Sequence, residues 1–175
     1  MIGLIRGVFI LCYVILNGFF QGICKAPLAT DVVAGLVEDS QAAYNQGDYA
    51  TAVQKLRPLA EQGNAGAQFI LGRLHAHGTG VLRDGREAAK WYLKAAKQGN
   101  ASAQFNLGWL YACPEDRDVV QDYMRAYMWF RIAKENGHET AQVCIDAVEK
   151  MITPAQIAKA EKLARKLSFW NPFIF

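Results

Sequence analysis

"QGNAGAQFILG" (Gln62–Gly72) and "QGNASAQFNLG" (Gln98–Gly108) are almost one word written twice, 36 positions apart. The two copies differ only where Gly66 becomes Ser102 and Ile70 becomes Asn106. Self-similarity at a period of a few tens of residues marks a repeat architecture. From Gly72 the first unit continues as "RLHAHGTGVLRDGREAAKWYLKAAKQGN" to Asn100, and from Gly108 the second runs on to Gly137 with two extra residues in its middle. On the resulting offset of 38, Asp84 aligns with Asp122, Ala88 with Ala126, Trp91 with Trp129 and Tyr92 with Phe130. A third start stands at "NGHETAQVC" (Asn136–Cys144), and "AAYNQGDYATAVQKLRPLAEQGN" (Ala42–Asn64) supplies the second half of an earlier unit.

Each unit reads as two helices. Residues 67, 71, 74 and 75 share one face at helical spacing, and so do 88, 91, 92 and 95. Gly78-Thr79-Gly80 breaks the chain between the two helices, and Gly99-Asn100 closes the second with a left-handed cap. Gly72 and Gly108 fall inside helices, where glycine costs about 1 kcal/mol relative to alanine. Close approach of a partner helix would offset that, with Ala88 and Ala126 as the expected facing residues. One hairpin cannot bury its own apolar face; a stack of them can. The expected fold is therefore all-α, an α/α solenoid of helical hairpins. It should end on a helix within "MITPAQIAKAEKLARKL" (Met151–Leu167), where Thr153, Pro154 and Gln156 stand in capping-box order.

The pattern A-Q-F-x-L-G, then G-x-G-V-x-x-D, then A-x-x-W-Y-x-K-A-A-x-Q-G-N resembles the Sel1-like repeat, the longer-looped relative of the tetratricopeptide repeat. Residues 67–100 match nearly throughout. In the next unit Cys113 to Asp118 replace the glycine-rich turn. The resemblance spans about 31–167, as units near 31–64, 65–100, 101–137 and 138–167, followed by an apolar tail at 168–175. It implies a non-enzymatic protein–protein interaction scaffold of the exported bacterial type. By transfer from tetratricopeptide grooves, the first helix of each pair lines a concave surface. Positions there not required for packing are the candidate partner-binding residues: Gln68, Arg73, Gln104, Asn106 and Trp109. The partner would be a protein.

Upstream of the repeats, Gly7–Cys24 is uncharged and strongly apolar, with Arg6 before it and no acidic residue before Asp31. That composition fits a secretory signal peptide, or an N-terminal anchor giving membrane attachment through residues 7–24. Residues 1–26 are accordingly set apart, and an exported location is expected: periplasmic, secreted or anchored in the inner membrane. Without those residues, 17 basic side chains face 16 acidic ones, so there is no electrostatic case for nucleic acid.

The search for chemistry yields little. His75 and His77 stand two apart on a helix and diverge by about 200°, so no metal site and no cofactor is expected. No Gly-x-Ser-x-Gly elbow is present, and no catalytic residue is assigned. Cys113 and Cys144 fall too far apart along neighbouring helices for a disulfide. Arg86, Lys90, Lys94 and Lys97 form a basic stripe of the kind usually carried on a solvated face. Two alternatives stand beside the scaffold: a cell-wall-associated enzyme or enzyme subunit of hydrolase type, and a membrane-anchored structural component.

Overall fold

The computed structural model describes residues 39–40, 42–113 and 119–169. The segment 1–26, the turn residues 114–118 and the tail from 170 onward lie outside them. Residues 39–40 and 42–45 are helical. Seven helices follow: α1 (Tyr49–Glu61), α2 (Ala65–His77), α3 (Gly85–Lys97), α4 (Ala101–Ala112), α5 (Tyr123–Glu135), α6 (Ala141–Glu149) and α7 (Pro154–Phe169). No strand occurs among the described residues.

The doubled word of the sequence is a stop-and-start signal. At the ends of α1, α3 and α5 the chain turns through Gly63, Gly99 and Gly137, with φ of +98°, +85° and +86°. These are left-handed values that side chains with a Cβ rarely adopt. Directly after the first two, Asn64 and Asn100 accept from the backbone N–H of Ala67 and Ala103 at 2.9 and 2.8 Å and so cap α2 and α4. Asp84 and Asp122 cap α3 and α5 in the same way, from Glu87 and Arg125, each at 2.9 Å. Thr153 and Gln156 cap α7 reciprocally, the Thr153 N–H donating to Gln156 Oε1 at 2.8 Å.

Each helix packs on the next in the chain from α1 to α6, and α7 lies on α5. This nearest-neighbour stacking is that of an α-helical solenoid. The stripes spaced for burial are buried: Ala67, Leu71, Leu74 and His75 on α2, and Ala88, Trp91, Tyr92 and Ala95 on α3. The mid-helix glycines do mark close approach, but rings face them rather than Ala88 and Ala126. A Cβ at position 72 would lie 2.5 Å from Tyr92, and one at position 108 would lie 2.7 Å from Phe130. Tyr92 and Phe130 are equivalent residues of successive units, so one glycine–ring contact builds both hairpins. The third hairpin is weaker in its first helix: α6 has nine residues, and Thr140 makes no side-chain capping bond.

Candidate functional site

The five positions expected on a binding face separate into two groups. Gln68 and Gln104 are not surface residues: they are 4% and 1% exposed. Gln68 donates to the Ala60 carbonyl at 2.9 Å and accepts from Gln98 Nε2 at 2.8 Å. Gln104 repeats this one unit later, donating to the Ala96 carbonyl at 3.0 Å and accepting from Asn136 Nδ2 at 2.8 Å. Each carboxamide therefore ties the C-terminal ends of two successive second helices, α1 to α3 and α3 to α5. A buried amide with both ends satisfied belongs to the packing, which removes these two residues from the recognition surface. The sequence held a signal for this. Both glutamines are identical in the two copies, as packing residues are, whereas Ile70/Asn106 and Arg73/Trp109 differ.

Asn106 and Trp109 do come together, at a groove of about 250 Å³ between α2 and α4. Ala76 and His77 from the end of α2, Arg83 from the α2–α3 turn and Tyr92 of α3 also line it. Leu110 and Cys113 complete the α4 wall. Trp109 is 46% exposed. Its ring sits edge-on to Phe105 at 6.5 Å and to Phe130 at 6.4 Å. Phe105 in turn stacks on His138 at 3.9 Å. An aromatic propped from beneath and open above is a rigid anchor that loses little entropy on binding. Asn106 donates its amide to the Ser102 carbonyl at 2.8 Å. Arg73 is exposed, with its guanidinium 5.9 Å from the centre of the Phe69 ring, and does not line the groove. The wall residues from α2, α3 and the α2–α3 turn were missed, because their convergence depends on how the hairpin closes.

The lining includes two basic residues, His77 and Arg83, and no carboxylate. Burial pushes the Tyr92 hydroxyl well above the usual phenol range, partly opposed by Arg73, so this wall stays neutral. Deeper in the same hairpin, His75 is buried and neither ring nitrogen has a partner among the described residues. Desolvation holds its pKa below the ordinary value, with the Glu87 carboxylate opposing. Among the described residues no group of three metal-ligating side chains occurs. Cys113 and Cys144 are free thiols, one exposed and one half-buried. In the basic stripe of α3, Lys90 pairs with Glu87 at 2.8 Å and Lys94 sits 3.9 Å over the Trp91 ring.

A stack of helical hairpins with an aromatic-walled groove between first helices defines an α-helical repeat protein of solenoid type. The chain carries two Sel1 repeats: the family model described as Sel1 repeat matches residues 65–100 and 101–138. Two solved structures share the fold. A protective antigen of uropathogenic Escherichia coli strains, displaying an SLR fold, superposes with a TM-score of 0.71 at 30% identity over 77% of this chain. A Sel1 repeat protein from Oxalobacter formigenes gives 0.58 at 29% identity over 81%. The chain spans 29% and 58% of those two proteins. No curated protein matches the sequence. Sel1 repeat proteins generally mediate protein–protein interaction, and their fold is typically a non-enzymatic scaffold.

Proposed function

We propose that this chain is a non-enzymatic scaffold that holds a protein partner in the groove between α2 and α4, and that it works at the bacterial cell envelope or outside the cell. The observation that carries the reading is Trp109: a large ring, nearly half exposed, fixed from below by Phe105 and Phe130. Anchors of this kind dominate binding energy at protein interfaces. The groove suits an apolar side chain packed between Trp109 and Tyr92. The uncharged apolar stretch at 7–24 supports export or anchoring.

The test is a crosslinked pull-down from envelope extract with the full chain and with the Trp109→Ala variant. Loss of a specific protein at an unchanged circular-dichroism melt is expected. Truncation of a central anchor typically costs 2 kcal/mol or more, roughly thirty-fold in Kd. Equal capture by the variant would move the interface off this face. Edman sequencing of the native protein reads the other half of the proposal: a start at Met1 in the membrane fraction means an anchor, and a start near 23–30 in a soluble fraction means a cleaved leader.

A further inference from the structure

The helix that closes the solenoid has one face for the core and another that the scaffold reading leaves unused. Ala160 and Ala164, 0% and 2% exposed, lie in the buried face of α7, the helix that packs on α5. On the opposite side Lys159, Lys162 and Lys166 are exposed. At 100° per residue they share an arc of about 60°. Leu163 and Leu167 form a ridge beside them and remain 37% and 41% exposed. The acidic residue of this helix, Glu161, lies 4.0 Å from Arg165. Among the described residues no carboxylate pairs with the three lysines, in contrast to Lys90 on α3.

We infer that α7 is a docking face for an anionic phospholipid surface. Three lysines on one arc match a plane of phosphate groups, and an exposed leucine ridge needs an apolar medium that a polyanion alone does not offer. A bilayer interface supplies both at one depth: phosphates at the level of the ammonium groups and acyl chains just below. No helix among the described residues is long and apolar enough to cross a membrane, so α7 lies along the surface. This inference uses a different face from the groove and stands or falls independently of it.

The test compares partition of the full chain onto vesicles of phosphatidylcholine alone and of phosphatidylcholine with phosphatidylglycerol. Residues 7–24 carry no charge but are flanked by Arg6 and Lys25, which every chain compared retains, so the change in the ratio of the two partition coefficients between natural chain and variant isolates the part due to the α7 lysines. Each lysine near an anionic surface is worth about five-fold in binding. The ratio should therefore be high for the natural chain and fall on the order of a hundred-fold in Lys159→Gln/Lys162→Gln/Lys166→Gln. The glutamate triple variant, which reverses the charge, should fall further, and a circular-dichroism melt of each chain checks that it is folded. A ratio near one for the natural chain, or one that the variants leave unchanged, overturns the inference. So does lysine-dependent binding to single-stranded DNA or polyglutamate that is tighter than binding to the anionic vesicles.

Discussion

The most informative residues are two glutamines whose polarity points the wrong way. A carboxamide in a helix is equally at home in solvent or in a fully bonded interior, and polarity alone favours the surface. What settles Gln68 and Gln104 is a pair of acceptors and donors 8 residues behind and 30 or 32 ahead. Those partners exist only once three hairpins have stacked. Gln104→Met keeps the volume but takes one donor from the Ala96 carbonyl, which keeps the Gly99 N–H at 3.0 Å, and leaves the Asn136 amide without this acceptor beside a side chain that is 1% exposed. A loss of about 1–3 kcal/mol is expected, the usual penalty for a buried polar group left unpaired, and urea unfolding measures it. A loss below a few tenths would show that water reaches this site and that the bonds contribute little.

At the scale of elements, much of the architecture could be read in advance, for stated reasons. Asn64, Asn100, Asp84 and Asp122 cap where an oxygen-bearing side chain precedes an apolar period, and the left-handed glycines stop helices where expected. The Gly72 and Gly108 anomalies announced close contacts. The choice of Tyr92 and Phe130 as the contacting residues did not follow, because rotation of α3 and α5 about their axes is set by packing on both neighbours. Gly108→Ala improves helix propensity by about 1 kcal/mol but drives a methyl into a ring that is itself 1% exposed. Overpacking of this sort costs about 1–3 kcal/mol. The net result should be a lower melting temperature, with tertiary signals from Phe130 and Trp129 changed more than helicity. A melt raised above the natural protein's would mean that the α4–α5 spacing relaxes freely.

For the whole molecule, two histidines in different units bias stability in one direction. Burial holds the pKa of His75 below its ordinary value of 6.5, and burial does the same for His138, each opposed by a nearby glutamate. Above that value both imidazoles are neutral in folded and unfolded chains, so they add no pH dependence. As the pH falls through 6.5 the unfolded chain takes up protons that the folded chain resists, and stability declines. Chemical denaturation at steps from pH 7.5 to 5 should show this fall, and His75→Leu should flatten part of it. An unchanged slope in that variant would place the acid sensitivity elsewhere.

The glutamine bonds also bear on how such an array grows. Ala60, Gln68, Gln98, Ala96, Gln104 and Asn136 form a relay running from α1 to α5, in which each inserted hairpin must offer an amide at both its beginning and its end. At the third unit the corresponding glutamine, Gln142, turns aside to Lys134 and Asp146. A further Sel1 hairpin could be spliced between Asn100 and Ala101 with every amide answered. The same hairpin placed after α6 would find no amide waiting, which makes that end of the array a chemical terminus for extension by copying.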